Sequence, residues 1–339
     1  MKKQVKITLS LLAVVIILAG IFVIHSTTTK KAGAAHNDKN FVLKLADETG
    51  GCQAPQQIAI EKGYFKAEGL KVKTVRLTQS TTGLDAVTAG KIDASNSLLA
   101  STVAPIANGA PIKITTGLHT GCISILTNKN SKIHSAKDLK GLKIGVETVA
   151  GSPATFVKRY LTNAGLKVYG NQPDVQLLAY DAPELPLVLE KGQVDAIAIE
   201  DPDTQIAAKK YGFNVLASSA QTAPFNTEYC CVAYVSNSLA KNHPAIAQKY
   251  TIALQKAADW VAKHQAETVD IQTKHHYVAG DKAANLEALK TYKWEASYSG
   301  AKTAFSQVAT SLQKTGGLAK DIDVKALSKN TLLKLKGVD

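Results

Sequence analysis

From residue 42 onward, apolar runs of four or five residues alternate with longer stretches in which apolar positions recur every three or four residues. Glycines separate the two kinds of segment. Short apolar runs bounded by glycine are typical of buried strands, and the longer spacing is typical of helices. Strands and helices that alternate in this way predict an α/β fold in which each lobe is a mainly parallel sheet flanked by helices.

The pattern occurs twice along the chain. A strand-like run, a glycine-containing turn and a helical stretch lead to the sequence Gly-Leu-Lys-Val, once from Gly69 and once from Gly165. Each copy then reaches an Asp-Ala pair, at Asp93 and at Asp195. The first pair of anchors is 96 residues apart (165 − 69) and the second is 102 residues apart (195 − 93). Matching anchors at a nearly constant offset predict two lobes of related design.

The first 40 residues have a different character. Three lysines accompany an apolar run of 18 residues, Ile7 to Ile24. This arrangement is typical of an export signal, and the run is also just long enough to span a membrane as a helix. We expect residues 1–26 to be a signal peptide or an N-terminal membrane anchor and residues 27–40 to be a tether. The rest of the chain would then lie at the extracytoplasmic face of the cell membrane, anchored or secreted.

Composition narrows the class of protein. With 339 residues and 45% hydrophobic content, the chain is long enough for two domains with real cores. The net charge of +13 comes almost entirely from lysine, because Arg76 and Arg159 are the only arginines. A nucleic-acid-binding protein would be expected to cluster arginine and aromatic residues. We therefore expect no nucleic-acid partner and interpret the charge as a solvated surface facing an anionic wall or membrane.

Four segments of the chain resemble the substrate-binding proteins of ABC importers, in particular the group for alkanesulfonates, nitrate, taurine and thiamine-pyrimidine precursors. They are IEKGYFKAEGL at 60–70, ANGAPIK at 107–113, DLKGLKIGV at 138–146, and GQVDA with the following Asp-Pro at 192–202. The first two are fairly specific together, whereas the others occur widely in two-lobed binding proteins. The likeness extends over roughly residues 42–324.

This resemblance implies a two-lobed, type II periplasmic-binding-protein-like fold with two crossover strands as a hinge. Lobe 1 would comprise residues 41–118 and 232–339, and lobe 2 residues 119–231. The resemblance also implies a membrane permease and a cytoplasmic ATPase as partners, and we expect a monomer that is not an enzyme. Two alternatives stay open: an enzyme similar to the pyrimidine-precursor synthases of the same superfamily, and a sensor domain that docks to a membrane receptor.

In open α/β sheets, ligands bind beyond the carboxyl ends of the strands. The predicted ligand residues at such positions are Thr49, Gly51, Cys52, Gln53, Asn96, Ser97, Ser152 and Asp201. Ser152 would be the N-cap of a helix with Pro153 at its first position, where free N–H groups attract an anion. The alternatives are that Ser152 only caps its helix and that Asp201 only orients the turn before Pro202.

The four cysteines all fall in predicted cleft or hinge segments. Cys52 lies on the first ligand loop, Cys122 on the outgoing crossover, and Cys230 and Cys231 on the returning one. Thiolates are ligands that soft metals prefer, so the four are candidate metal ligands. Disulfides and inert buried thiols are the alternatives. Neighbours on a strand point to opposite faces, so Cys230 and Cys231 can both face the cleft only if the strand is irregular there.

This cysteine set is a departure from the sulfonate and nitrate members of the group. It resembles a subset with vicinal cysteine or selenocysteine-cysteine pairs that is associated with organometal transport. We therefore predict that the solute is a thiophilic metal or an organometal, carried as cargo with no resident cofactor. The alternative is a sulfonate, nitrate or pyrimidine-type ligand held by serine and threonine hydroxyls and helix N-termini.

Overall fold

The computed structural model describes residues 38–78 and 81–339. The predicted signal peptide or anchor and nearly all of the predicted tether lie outside the described residues. Within the described ranges, no helix is both long enough and apolar enough to cross a membrane.

Ten strands in this part of the chain form two five-stranded sheets. They are β1 (Val42–Ala46), β2 (Lys71–Val75), β3 (Ala94–Leu98), β4 (Ile112–Thr120), β5 (Ile123–Thr127), β6 (Lys143–Val146), β7 (Gln176–Ala179), β8 (Ala196–Glu200), β9 (Asn214–Ser218) and β10 (Tyr229–Ser236). The first sheet has the order β2-β1-β3-β10-β4, and the second has the order β7-β6-β8-β5-β9. Each sheet belongs to one lobe.

Thirteen α-helices accompany these sheets within the same ranges. They are α1 (Ala54–Glu61), α2 (Tyr64–Ala67), α3 (Gly83–Thr88), α4 (Leu99–Ala107), α5 (Ser152–Asn163), α6 (Leu185–Glu190), α7 (Asp203–Tyr211), α8 (Asn237–Asn242), α9 (Pro244–Lys263), α10 (Gln265–Lys274), α11 (Lys282–Thr291), α12 (Tyr298–Lys314) and α13 (Val324–Thr331). The last five helices, α9 to α13, make up most of the chain after β10.

The two sheets repeat one design, as the sequence predicts. In the first, β2, β1 and β3 are adjacent and parallel, and in the second β7, β6 and β8 take the same places. The repeated aspartates also have the same role. Asp93 accepts a hydrogen bond from the Lys44 N–H at 2.8 Å, and Asp195 accepts one from the Lys143 N–H at 2.8 Å. Each aspartate thus ties the segment before β3 or β8 to the neighbouring parallel strand, β1 or β6.

Both sheets are mixed, but only one strand in each runs against the others. In the first sheet it is β10, which pairs antiparallel with β3 and β4. In the second it is β5, which pairs antiparallel with β8 and β9. These are the two strands that enter from the other sheet, since β5 follows β4 and β10 follows β9. The predicted residue ranges of the lobes stay a prediction; the chain leaves the first sheet at Thr120 and enters the second at Ile123.

Helix α9 stabilises the first lobe behind the site. Its buried residues recur with helical spacing, and one turn of this face presents Tyr250, Ala253 and Leu254, all fully buried. Burying a side chain the size of leucine contributes about 1.5–3 kcal/mol to the free energy of unfolding. The Tyr250 hydroxyl also donates to the Ser95 carbonyl at 3.1 Å. The core of the lobe therefore holds β3 in place near its amino end, one residue before Asn96.

Candidate functional site

Three cysteines meet where the chain crosses between the sheets. The sulfurs of Cys122, Cys230 and Cys231, here called the thiol cluster, lie within 4.8 Å of one another. The sulfurs of Cys122 and Cys230 are 2.8 Å apart, and all four cysteines of the chain are free thiols. Residues 108 positions apart are brought together because β4 continues into β5 beside β10, the strand that returns.

A strand irregularity turns the adjacent cysteines to the same place. The register between β10 and β4 shifts between Tyr229 and Cys231 and again between Cys231 and Val232. Such a bulge bends the strand and re-aims a side chain that would otherwise point to the opposite face. The irregularity that lets two neighbouring cysteines face the same site is therefore present, and Cys230 and Cys231 both contribute sulfur to the thiol cluster.

The backbone at Cys122 is unusual as well. Its φ is +95°, directly after Gly121 with φ +91°. A side chain rarely adopts this conformation, and residues that do are concentrated at functional sites. A Cβ added to Gly121 would lie 2.8 Å from the Ala220 Cβ and 2.8 Å from the Tyr292 ring. The crossover therefore needs glycine at 121 to place the Cys122 sulfur in the cluster.

The thiols differ in pKa because their surroundings differ. Burial raises the pKa of Cys230, but hydrogen bonds from Cys122 and Cys231 outweigh it and lower that pKa to about 7. Burial also raises the pKa of Cys122 well above its usual range. Cys52 adjoins the cluster: its hydrogen bond with Cys122 lowers its pKa, while that with Cys231 and burial raise it to about 12. A hydrogen bond with Cys122 also lowers the pKa of Cys231, so Cys230 and Cys231 ionise more readily than the other two thiols.

A buried histidine lies beside these thiols. His119 is fully buried, with Nδ1 3.0 Å from the Thr120 carbonyl oxygen and Nε2 3.0 Å from the Cys52 carbonyl oxygen. Carbonyl oxygens only accept, so both bonds form only when both ring nitrogens carry a proton and the ring is an imidazolium. Burial lowers the pKa of His119, but negative charge at Cys231 and a hydrogen bond with it raise that pKa to about 9. The site therefore contains a cation that favours thiolate at Cys231.

Aromatic rings hold this imidazolium in place. The His119 ring is stacked on Tyr292 with centroids 5.0 Å apart and lies 4.6 Å from the Trp294 ring. The Trp294 indole is anchored by its N–H, which donates to the Leu289 carbonyl at 2.9 Å. A cation between aromatic faces is stabilised by their quadrupoles. Trp294 thus packs against the site, while its indole N–H is already used inside the fold.

The thiol cluster suits a soft metal. Metal–sulfur bonds of about 2.3 Å separate two sulfurs on one ion by at most about 4.6 Å. The upper limit of 4.8 Å for the cluster is close to that span, whereas the 2.8 Å pair would have to separate by about an ångström. Thiolates select soft metals over hard ones. The arrangement can therefore bind a thiophilic ion through three sulfurs, with Cys52 beside it.

Four predicted ligand residues line a separate cleft in the first lobe. Thr49, Gln53, Asn96 and Ser97 surround this space of about 640 Å³, here called the lobe-1 cleft. Asn96 is fully buried, yet neither atom of its amide has a hydrogen-bond partner among the described residues. The cleft lies beyond the carboxyl ends of β1 and β2 and beside the second half of β3, at the edge of the sheet where ligands bind in open α/β folds.

Gly51, also a predicted ligand residue, has a packing role instead. It begins the 3₁₀-helix Gly51–Gln53, and its carbonyl accepts a hydrogen bond from Gln272 at 3.4 Å. A Cβ at Gly51 would lie 3.8 Å from Leu289. Gly51 therefore packs against the C-terminal helices and positions Cys52 and Gln53, its neighbours in the loop.

A small cavity of about 40 Å³ lies between elements of the two lobes, beside Cys230. Ser152, Arg159 and Glu228 are among its polar lining residues. The buried guanidinium of Arg159 donates to the Glu228 carboxylate at 2.7 Å, leaving its Nε without a partner in the described part of the chain. Burial raises the pKa of Glu228 above its usual value, although Arg159 lowers it. This interlobe cavity thus has two unpaired donors beside the thiol cluster, the Arg159 Nε and the Ser152 hydroxyl.

The predicted N-cap at Ser152 is wrong by one residue. Gly151 is the N-cap of α5, with φ −71° and ψ 172°, and Ser152 is the first helical residue. Proline at the second position is tolerated because the N–H groups of the first turn have no helical partner. The Ser152 hydroxyl caps nothing: it is buried at the cavity and finds no partner within the described ranges.

Asp201 joins the lobe-2 end of the site to the C-terminal helices. Its N–H donates to the Cys122 carbonyl at 3.0 Å, and its carboxylate accepts from the Tyr292 hydroxyl at 3.0 Å. Burial raises the pKa of Asp201 above its usual value, although hydrogen bonds from Thr204, Tyr292 and Gln205 lower it. Asp201 therefore supports the backbone that carries Cys122.

Three residues of this site were not singled out from the sequence: His119, Arg159 and Glu228. His119 lies three positions before Cys122 on a predicted strand, which was the available signal. Its partner carbonyl at Cys52 is 67 positions away, so its double hydrogen bonding depends on the tertiary fold. Arg159 was noted only as one of two arginines, and its partner Glu228 is 69 positions distant.

A family model described as the NMT1-like family matches residues 43–273, more than half of the chain. The chain belongs to the NMT1-like family. A Bacillus subtilis (strain 168) protein assigned by name to aliphatic sulfonate binding is 27% identical over 335 residues, covering 96% of this chain and 94% of that protein. The resemblance to the substrate-binding group of ABC importers is therefore confirmed.

Solved structures share the fold of this family member. The periplasmic aliphatic sulphonate binding protein SsuA of Escherichia coli has a TM-score of 0.72 at 18% identity, covering 88% of this chain and 94% of that one. The periplasmic nitrate-binding protein NrtA of Synechocystis PCC 6803 has a TM-score of 0.71 at 14% identity, covering 86% of each chain. The two-lobed periplasmic-binding-protein fold predicted from the sequence is thus confirmed.

Proposed function

We propose that this protein is the extracytoplasmic solute-binding component of an ABC importer and that its cargo is a thiophilic metal or an organometal. The observation that carries the cargo assignment is the thiol cluster, with three sulfurs within 4.8 Å of one another at the crossover between the lobes. The family and the fold support the receptor role. The proposal assigns no catalytic step to the chain and no resident cofactor.

Capture would couple to hinge motion. Cys122 lies on the outgoing crossover, and Cys230 and Cys231 lie on the returning one. A metal that bonds sulfurs on both crossovers would therefore tie the two hinge segments together and stabilise one relative position of the lobes. A membrane permease would then recognise the lobes in that relative position at its extracytoplasmic face, and a cytoplasmic ATPase would drive transport. The predicted N-terminal segment would keep the receptor near the membrane or be removed on export.

Binding of soft metals to the intact, reduced protein tests this proposal. Native mass spectrometry with Hg²⁺ should show one tightly bound ion, whereas Mg²⁺ should not be retained because thiolates are poor ligands for hard cations. The matched control replaces Cys122, Cys230 and Cys231 together with serine. Equal mercury binding by this variant, or none by the natural chain, would contradict the cargo assignment.

A second candidate cargo is a sulfonate-type oxyanion. The observation that favours it is the pair of unpartnered buried donors, the Ser152 hydroxyl and the Arg159 Nε, at the interlobe cavity near the N-terminus of α5. The Bacillus subtilis relative is named for this class of ligand. Ethanesulfonate belongs in the same measurement. Ethanesulfonate binding that survives the triple serine substitution, with no mercury bound, would favour this candidate.

A further inference from the structure

Asn96 is an unusual polar residue of the lobe-1 cleft. Its side chain is fully buried, and neither the oxygen nor the nitrogen of its amide has a partner among the residues described. Buried polar groups in folded proteins are nearly always hydrogen-bonded. The position is fixed, because Asn96 lies opposite Ala233 in the pairing of β3 with β10. An amide held in this state is expected to find its partner in a molecule from outside the chain.

The neighbours of Asn96 are already used inside the fold. Ser95 donates to the Glu48 carboxylate at 2.8 Å, and Ser97 donates to the Tyr234 hydroxyl at 3.3 Å. Gln53, on the opposite loop of the cleft, also has a buried side-chain oxygen without a partner in the described residues. Two residues with unmet amide hydrogen-bonding capacity therefore line one space of about 640 Å³, and their unpaired atoms are buried beneath its surface, so they must turn toward the space to meet a ligand.

We propose that Asn96 and Gln53 form a subsite that binds a neutral organic group with a donor and an acceptor on one edge, such as an amide or a lactam. This inference rests on the proposed solute-receptor function. An amide side chain donates through its nitrogen and accepts through its oxygen. A second amide edge satisfies both atoms at once, and the Gln53 oxygen accepts a further donor.

The same geometry disfavours an anion in this cleft. A sulfonate or carboxylate has acceptors only, so it would leave the Asn96 and Gln53 oxygens unpaired and facing negative charge. Asp47 and Glu48 also line the cleft, and the Arg76 guanidinium there is 3.8 Å from the Asp47 carboxylate. Like charges in a partly buried site repel. The lobe-1 cleft thus selects against the ligand class for which the Bacillus subtilis relative is named.

Nicotinamide and nicotinate test the subsite because they differ only in an amide against a carboxylate. We expect calorimetry on the intact protein at millimolar ligand to show nicotinamide binding at least about tenfold more tightly than nicotinate. Asn96→Leu should abolish this preference, whereas Ser101→Ala, at an exposed position outside the cleft, should retain it. No binding of either probe, tighter binding of nicotinate, or an unchanged preference in Asn96→Leu would overturn the proposal.

A stability measurement separates a ligand residue from a structural one. Asn96→Leu replaces an unpaired buried amide by a larger apolar side chain of the same branched shape beside an open cleft, so the unliganded variant should melt at the same temperature as the natural chain or higher. A markedly lower melting temperature would mean that Asn96 is structural. Mercury binding in the same samples reports on the thiol cluster alone. If the natural chain binds no mercury but still prefers nicotinamide, the metal-cargo proposal is wrong and the amide subsite is unaffected.

Discussion

The thiol cluster and the lobe-1 cleft are built by opposite means. The cluster depends on irregular backbone: a bulge at Cys230 and Cys231, and left-handed φ values of +91° and +95° at Gly121 and Cys122. The cleft is lined by a regular strand, β3, in which Asn96 keeps its ordinary antiparallel pairing with β10. The cluster brings distant segments together, whereas the cleft is formed mainly by loops that follow neighbouring strands. One region is specialised through its backbone and the other through its side chains.

This difference shows where function can change within a common fold. Strand ends in this architecture form a ligand cleft whatever the side chains are, so a substitution at Asn96 changes what is recognised. The cluster requires a glycine, a bulge and three cysteines at once. Losing any one of these should disrupt the cluster while the strand pairing of the two sheets persists.

The largest expected effect comes from single cysteines. Cys122→Ser should weaken Hg²⁺ binding by about a thousandfold, because a structural metal site loses roughly a quarter to a third of its binding free energy with each ligand. Cys52→Ser should weaken it by only about tenfold, as for a residue that adjoins the ligands. Competition against a chelator of known affinity measures both. Equal losses for the two variants would place Cys52 in the cluster and erase this distinction.

The fold was predictable because its signals are local. Apolar runs, glycines and the repeated Asp-Ala pairs gave two lobes, and Asp93 and Asp195 make the same 2.8 Å bond in each. The cysteines could be placed by residue type and by crossover. The bulge at Cys230 and the φ of Cys122 could be stated only as a requirement, because they depend on packing between segments about a hundred residues apart.

Local chemistry also misleads in places. Serine before proline is a common helix start, but Gly151 takes the N-cap and Ser152 instead faces the interlobe cavity. His119 carried no motif, because both of its acceptors are backbone carbonyls and one belongs to Cys52. A hydrogen bond to a backbone carbonyl does not depend on the residue type of its acceptor, so it cannot be recognised from the sequence. Such support residues appear only once the chain is folded.

The second expected effect concerns the backbone at the crossover. Gly121 and Gly109 have similar φ values, +91° and +97°, but only Gly121 is closely surrounded. Gly109→Ala meets open space and should cost about 1 kcal/mol of unfolding free energy, the strain of a left-handed side chain. Gly121→Ala adds contacts at 2.8 Å and should cost about 3 kcal/mol. Urea denaturation measures both; equal costs would show that the crossover can relax around an added methyl group.

The smallest expected effect is a pH dependence in the lobe-1 cleft. Burial raises the pKa of Glu48, although the hydrogen bond from Ser95 lowers it. The folded chain therefore keeps this proton to a higher pH than the unfolded chain, whose glutamates titrate near about 4.3. Its contribution is fully present below that value and is lost as the pH rises through the folded pKa. The free energy of unfolding should thus decrease over this range.

Glu48→Gln removes the titrating proton but keeps an oxygen that can accept from Ser95. The variant should lose part of the decrease in unfolding free energy as the pH rises from about 4 to about 8, a change on the order of 1 kcal/mol or less. Denaturation at several pH values measures it, with the exposed Glu190→Gln as the matched control. A profile identical to that of the natural chain would mean that Glu48 is as well solvated in the folded state as in the unfolded one. The cleft would then be wet enough to accept a charged ligand, and the contrast between amide recognition there and ion recognition at the sulfurs would weaken.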